Sequence, residues 1–301
     1  LVFNASGFTQ RLPELLKKLV EGYASFQPDA QQLEQAKSWY LDRLEAAEKG
    51  KAFEQAIQPM QMLSQLPYTQ REARRQLVKQ ITLQEVMDYR DALIQHATPE
   101  MMVVGNLSAD RVRQRGEELK QQLHSAGHGY WHSDYVVVDK PIKANLQKTG
   151  SSTDSALATL YVPLGYSEYQ SMANSTMLSQ IVQPWFYNQL RTEEQLGYAV
   201  FAYQMPIGRQ WGIGFLLQSN SKAPAYLLQR FQAFYPQAEQ RLRSMKAEDF
   251  AQYQQALIND LKQRPQTLDE EANRYSRDFN RQNFAFDTRE KAIAQIQQLT
   301  P

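Results

Sequence analysis

The sequence contains no cysteine, which excludes several kinds of chemistry. Without thiols the chain forms no disulfide bond, thiol nucleophile, cysteine-ligated zinc site or iron–sulfur cluster. It also lacks a run of about 18 apolar residues, which a membrane-spanning helix requires, so we expect no membrane partner. The motifs HxxEH, HExxH, GxSxG, GxGxxG and the P-loop are absent as well. The chain by itself therefore presents no complete catalytic constellation.

An excess of charge of either sign is also missing. The chain has 33 Lys and Arg residues against 32 Asp and Glu residues, a net charge of +1. Residues 1–150 contain 19 basic and 18 acidic side chains, and the remainder contains 14 of each. Binding to nucleic acid through bulk positive charge needs a basic face, so the sequence predicts no nucleic-acid partner.

Hydrophobic periodicity predicts a mostly helical chain with short strands between the helices. Thr82 and Ser167 each begin a capping box, and Ser108 is expected to cap the helix that follows it. A turn that contains Pro206 and Gly208 is expected to join the last two predicted strands into a hairpin. The other helices are expected near residues 8–24, 28–47, 51–64, 70–80, 222–243, 246–262, 266–282 and 288–298. The strands are expected at residues 1–3, 101–104, 156–162, 198–204 and 211–218.

The order of predicted elements repeats at an offset of about 217 residues. The clearest match aligns residues 67–82 with residues 285–300. With 301 residues the chain has room for two domains, and the glycine-containing stretch at 124–150 is the best linker between them. The first copy lacks its front and the second lacks its end. The sequence therefore predicts two homologous α+β domains, both incomplete, at residues 1–140 and 141–301, in a chain cut from something longer.

The histidines are the first candidates for metal ligands. His124, His128 and His132 have the spacing i, i+4, i+8, which on a helix would place them on one face, where they could hold zinc. Gly127 and Gly129 lie between them, however, and interrupt a helix. We therefore expect solvated histidines in a linker and no metal site in this chain.

The densest local signal runs from residue 184 to residue 200, through the end of a long helix and into a strand. It places Arg191 on the last helical turns and Tyr198 at the entrance of the strand, with Gly197 expected to take positive φ at the reversal. A guanidinium and a phenol that converge there could donate hydrogen bonds to a peptide carbonyl or to an oxyanion. In the alternative interpretation, Arg191 only offsets the helix dipole and Tyr198 is half-buried packing.

The neighbouring residues favour structural roles. Glu193 and Glu194 are adjacent, so they point to different faces, and we expect both to be solvated. The aromatic residues 185–187 are typical of a core. The glycine-interrupted strand that begins at Trp211 indicates a bulge, with close approach of another backbone as the alternative.

The segment LRTEEQLGYAV at 190–200 resembles the R-x-x-E-Q-L-G-Y signature of the pitrilysin/insulysin family of inverted-motif zinc peptidases. FLLQSN at 215–220 and QALINDL at 255–261 are similar to the same family. The resemblance implies four homologous α+β domains that form two halves around a closed chamber. It implies that residues 1–140 are the rear part of the third domain and that residues 141–301 are most of the fourth.

The resemblance also implies different roles for the two halves of the protein. The N-terminal half, which is absent here, would bind zinc through HxxEH and a distal Glu, and this segment would bind none and be inactive alone. Arg191 and Tyr198 would contact the substrate, with Tyr198 donating toward the scissile carbonyl or the tetrahedral intermediate. Tyr187 and Phe186 would bind substrate near the cleaved bond. The expected partners are the zinc-bearing half and peptide or small-protein substrates, in the periplasm. A non-catalytic subunit or peptide-binding scaffold remains the alternative.

Overall fold

The computed structural model describes residues 2–62, 68–96, 98–123, 137–146 and 152–301. In the part before residue 124 the chain is helical: α1 Leu12–Ala24, α2 Ala30–Glu48, α3 Ala52–Met62, α4 Arg71–Gln80, α5 Leu83–His96 and α6 Ala109–Gln122. The later part alternates strands and helices: β1 Ser155–Tyr161, α7 Glu168–Tyr187, β2 Ala199–Ile207, β3 Gln210–Ser219, α8 Pro224–Arg243, α9 Ala247–Lys262, α10 Leu268–Asn280 and α11 Thr288–Ile296. Within the described ranges, no helix combines the length and the hydrophobicity that a membrane-spanning segment needs.

The helix starts follow local sequence rules. The Thr82 hydroxyl accepts a hydrogen bond from the backbone of Glu85, and the Glu85 carboxylate accepts one from the Thr82 backbone at 2.7 Å. Ser167 and Gln170 form the second capping box. Both predictions are confirmed, because a capping box needs only residues three apart. Ser108 is at the N-cap position of α6, as expected, but its side chain makes no capping hydrogen bond.

Two expected strands are not present. Residues 101–104 are partly buried but have no strand structure, and neither have Val2 and Phe3. Both segments are apolar enough for a strand, but a strand also requires a hydrogen-bonded neighbour. The three strands described all lie in one sheet, and neither segment pairs with it. Apolar composition alone therefore gave the wrong element at these two places.

The sheet is antiparallel, with β3 in the centre and the order β1-β3-β2. The predicted hairpin is confirmed: β2 and β3 pair without interruption from Ala199 with Gln218 to Ile207 with Gln210. A bulge at the glycines of β3 is therefore wrong. Gly212 instead allows close approach, since a methyl group there would collide with the backbone carbonyl of Tyr161.

Helix α7 is the centre of the hydrophobic core. One of its faces packs on the sheet and on α8, where Phe186 is completely buried. The Phe186 ring makes edge contacts with Phe215, Phe231 and Phe234 at centroid distances of 5.1, 5.1 and 5.2 Å. Each such pair contributes about 0.5–1.5 kcal/mol beyond the area buried. The other face of α7 packs against buried residues of α9 and α11: Leu257, Ile258 and Ile296.

The predicted repeat is visible in the helices. Helices α2 and α9 begin at Ala30 and Ala247, 217 residues apart, and α4 and α11 begin at Arg71 and Thr288, also 217 apart. With α1, α3, α8 and α10 they form two series of four helices in the same order. The α+β fold class, with a small antiparallel sheet packed on helices, is confirmed.

The chain forms two compact units that interleave along the sequence. One comprises Leu1–Leu44, Thr69–His132 and Pro265–Phe284, and the other comprises Glu45–Tyr68, Ser133–Arg264 and Ala285–Pro301. The unit with the sheet therefore includes α3 from the first series of helices, whereas the corresponding helix of the second series, α10, belongs to the other unit. The predicted domain limits, 1–140 and 141–301, stay a prediction.

Candidate substrate-binding site

The candidate site lies between the end of α7 and the start of β2. The helix continues as a π-helical turn over Asn188–Glu193, and the Leu196 amide then donates to the Leu190 carbonyl at 2.9 Å. Gln195 takes a φ of 52° at the reversal. Single π-helical turns of this kind are frequent at functional sites. The widened turn delivers the end of the helix directly to the start of the strand.

Gly197 is required by close approach rather than by its own φ. It is not among the residues with positive φ, so the expectation for its backbone is wrong. A methyl group at this position would collide with the backbone carbonyl of Gln218 on the neighbouring strand. The positive φ that the reversal needs is taken by Gln195 instead. Gly197 thus lets the chain enter the sheet in contact with β3.

Three of the predicted site residues lie together. The Arg191 guanidinium donates a hydrogen bond from Nη1 to the backbone carbonyl of Tyr198, and it lies 5.4 Å from the ring centroid of Tyr187. As whole residues, Tyr187 and Tyr198 are 40% and 51% exposed. A guanidinium has five N–H donors in a planar fork, so one hydrogen bond leaves others for a bound group. The arrangement offers donors and aromatic surface to solvent.

The Tyr198 hydroxyl is held by two residues that the sequence did not single out. It donates to Asp154 Oδ2 at 2.6 Å and accepts a hydrogen bond from Gln218 Nε2. Gln218 Nε2 also donates to Asp154 Oδ2, at 2.7 Å. The hydrogen bond from Tyr198 is the main cause of a lowered pKa of the Asp154 carboxyl, and the bond from Gln218 lowers this pKa further. The same bond to Asp154 raises the pKa of Tyr198. The phenol therefore keeps its proton and shares it with a carboxylate.

The orientation of the Gln218 amide is fixed from its other end. Gln218 is 1% exposed, and its Oε1 accepts a hydrogen bond from the backbone N–H of Phe53, in the first turn of α3, at 3.0 Å. Because Oε1 faces a donor, Nε2 is the atom that points to Tyr198 and Asp154. In the sequence, Gln218 was included only in the segment 215–220 that resembles the peptidase family. No feature of the sequence pointed to Asp154, because its position next to Tyr198 depends on the pairing of β1 with β3.

Two neighbours of the site differ from expectation. Phe186 lies in the core with no exposed surface, and its expected contact with a substrate stays a prediction. Glu194 is not simply solvated, because Arg230 donates to its two carboxylate oxygens at 2.7 Å each. This ion pair, together with a hydrogen bond from Gln189, lowers the pKa of Glu194. Glu193 accepts a hydrogen bond from Asn188 at 2.7 Å.

The residues described do not fit a zinc site. In the described ranges no group of three or more His, Cys, Asp or Glu side chains comes together as a metal site would require. Asp154 supplies one carboxylate, whereas protein zinc sites use three or four ligands. His124, His128 and His132 lie outside the described residues. Any metal chemistry must therefore be supplied by ligands other than those of the cluster around Tyr198.

Fold and sequence both relate the chain to part of known proteins. A family model described as PQQ synthase PqqF-like, C-terminal lobe domain 4, matches residues 177–276, which include the reversal from α7 to β2. The chain is homologous to the C-terminal part of the pitrilysin-type peptidases. It is 58% identical to Protease 3 of Salmonella typhi over all 301 residues, which cover 31% of that relative. The chain thus spans about a third of the length of the curated relatives it matches.

Solved structures agree with this relationship. The crystal structure of pitrilysin superposes with a TM-score of 0.91 at 54% identity, over 99% of this chain and 33% of that one. The periplasmic protease PqqL from Escherichia coli superposes with a TM-score of 0.61 at 15% identity, over 99% of this chain and 34% of its own. The second likeness concerns the fold alone. The resemblance drawn from residues 190–200, 215–220 and 255–261 is confirmed.

Proposed function

We propose that this chain is the C-terminal-half segment of a zinc metalloendopeptidase that degrades peptides and small proteins in a closed chamber. In this proposal the segment supplies part of the chamber wall and holds the substrate through Arg191, Tyr198 and Tyr187. The observation that carries it is the position of the Arg191 side chain, which bonds the backbone carbonyl of Tyr198 and lies beside the Tyr187 ring, with both tyrosines exposed. The identity of 58% to a protease over the whole chain supports the reaction class.

The three side chains suit an extended peptide. The Arg191 fork donates to carbonyl oxygens, which a peptide presents along its whole length. The Tyr187 ring offers apolar surface, and the contact with the guanidinium limits the motion of both groups. For Tyr198 to donate to the scissile carbonyl or to an oxyanion, its proton must leave the hydrogen bond to Asp154. Zinc, when bound by the other half, would polarise the carbonyl and activate water.

The remaining parts of the proposal concern the whole protein. Zinc is bound by the N-terminal half of the same polypeptide, and residues 1–140 and 141–301 belong to its third and fourth domains. This segment alone has no peptidase activity. A periplasmic location is proposed from the resemblance and from the periplasmic protease that shares the fold.

The decisive experiment compares Tyr198→Phe and Arg191→Lys with the unaltered full-length protein. We expect each variant to lower kcat/KM for a peptide substrate by at least tenfold, with one zinc ion per molecule retained, because each removes a hydrogen bond to the substrate. Normal kcat/KM in both variants would show that these residues take no part in the reaction. A full-length reading frame without HxxEH would instead favour the peptide-binding scaffold.

A further inference from the structure

We propose that Arg230, on α8, is a positioning residue for the binding of the substrate peptide. Through its ion pair with Glu194 it keeps the π-helical turn in the register that presents Arg191 to the peptide. This inference rests on the proposed function and adds a residue that lies outside the reversal from α7 to β2. Arg230 itself bonds Glu194 and acts on the substrate only through Arg191.

The first step is the ion pair itself. Arg230 donates from Nε to Oε2 and from Nη2 to Oε1 of Glu194, at 2.7 Å each, and the two side chains are 30% and 20% exposed. Two parallel hydrogen bonds hold a bidentate pair of this kind in one geometry. Leu227 and Phe231 of the same helix are completely buried, so the helix that bears the guanidinium is fixed in the core.

The second step is the place of Glu194 in the turn. Its backbone N–H donates to the carbonyl of Gln189, five residues earlier, at 2.9 Å, which is the hydrogen bond of a π-helix. In an α-helix the same carbonyl would accept from residue 193. The side chain of Gln189 also donates to Glu194 Oε1, at 3.1 Å. Arg230 therefore holds the residue whose backbone closes the π-helical turn.

The third step is backbone strain next to the ion pair. Gln195 has a φ of 52°, a conformation that residues other than glycine seldom adopt. Strained backbone persists only where its surroundings hold it. Leu196, which is 2% exposed, is fixed on one side of Gln195, and the ion pair of Glu194 is on the other. Loss of the ion pair would remove one of these two anchors and let the turn relax.

The fourth step connects the turn to Arg191, which lies inside the segment that the hydrogen bond of Glu194 closes. Arg191 contacts the Tyr187 ring and the backbone carbonyl of Tyr198. If the turn returned to the α-helical register, one residue would pass from the turn to the loop before β2. One residue corresponds to about 100° of rotation about the helix axis. The Arg191 guanidinium and the Tyr198 carbonyl would then lose their present alignment.

The test uses Arg230→Gln in the full-length, zinc-containing enzyme, with KM and kcat for a peptide substrate measured separately. We expect KM to rise about three- to fivefold with kcat within twofold of its normal value, because a misplaced Arg191 holds the peptide less well. A merely structural role would instead reduce the folded fraction, which lowers the apparent kcat at unchanged KM. In the Arg191→Ala background, Arg230→Gln should leave KM unchanged. Arg243→Gln, which breaks an exposed ion pair of the same helix, is the matched control and should change neither constant.

A second cycle tests the route through Glu194. Glu194→Gln should raise KM by the same factor as Arg230→Gln, and the double variant should raise it no further, because either change removes the same ion pair. Additive effects of the two changes, an unchanged KM in Arg230→Gln, or an equal rise with and without Arg191 would each overturn the positioning role and leave the proposed function standing. Normal kcat/KM in Arg191→Ala would overturn both.

Discussion

Arg191 donates a hydrogen bond to the backbone carbonyl of Tyr198, seven residues further along the chain. The bond closes the loop between the π-helical turn and β2. One residue of the proposed site therefore fixes the backbone that bears the other. Loss of the guanidinium would remove a substrate donor and loosen the start of β2 together.

For this reason we expect Arg191→Ala to weaken substrate binding more than Arg191→Lys. Lysine keeps the positive charge and can bond one carbonyl, but it lacks the planar fork that can bond the Tyr198 carbonyl and a peptide at once. Peptide dissociation constants on the zinc-free full-length protein measure the difference, with Arg243→Lys as a control at an exposed ion pair. Equal affinity in Arg191→Lys and the unaltered protein would show that charge alone suffices.

Phe186 and Tyr187 are adjacent in sequence, but the structure predicts opposite consequences for them. Phe186→Ala removes a fully buried ring and should destabilise the protein by about 3–5 kcal/mol. Tyr187→Ala truncates a residue that is 40% exposed, so it should leave the melting temperature almost unchanged and weaken peptide binding. Thermal unfolding and peptide binding, measured on both variants, check the pair. A large loss of stability in Tyr187→Ala would contradict its assignment to the binding surface.

Gly197→Ala should be strongly destabilising, by about 3 kcal/mol, because the new methyl group collides with the Gln218 carbonyl and neither backbone can easily move. Gly22→Ala is the matched control. Gly22 lies inside α1, and a methyl group there meets nothing within 4 Å. Alanine should raise stability at that site by about 0.5–1 kcal/mol. Melting temperatures that move in the same direction for both variants would refute the close-approach argument.

The ion pair of Glu194 with Arg230 should make stability depend on pH. The hydrogen bonds from Arg230 lower the pKa of Glu194 in the folded protein. A lowered folded-state pKa stabilises the fold above the unfolded pKa of about 4.3, and this contribution is lost as the pH falls through the folded pKa. The melting temperature of the unaltered protein should therefore exceed that of Glu194→Gln at pH 7. The gap should close below about pH 4. A gap that is constant with pH would mean that the carboxylate charge is not involved.

The sequence predicted what short-range rules determine. Capping boxes at Thr82 and Ser167, the hairpin of β2 and β3, and the helix-to-strand reversal all depend on residues close together in the chain. The sequence could not predict the carboxylate and the amide that hold the Tyr198 hydroxyl. Asp154 lies 44 residues from Tyr198, and Phe53 lies 165 residues from Gln218. Such contacts depend on strand order and helix packing, which periodicity does not encode.

The failed strands have the same origin. Residues 101–104 have the composition of a buried strand, but strand formation depends on a partner that the local sequence does not specify. At Gly197 the sequence correctly predicted that a glycine is needed but gave the wrong reason. The glycine makes room for a neighbouring strand, whose position the sequence alone did not predict.

The membership of α3 in the unit with the sheet has a consequence for how the two copies of the repeat can be separated. A cut near residue 140 would leave the fragment that contains β1, β2 and β3 without the amide of Phe53, the group that orients Gln218. The second copy of the repeat therefore depends on a helix of the first copy for this contact. Proteolysis between them would leave Asp154 and Gln218 beside Tyr198 but would leave Gln218 Oε1 without its backbone donor.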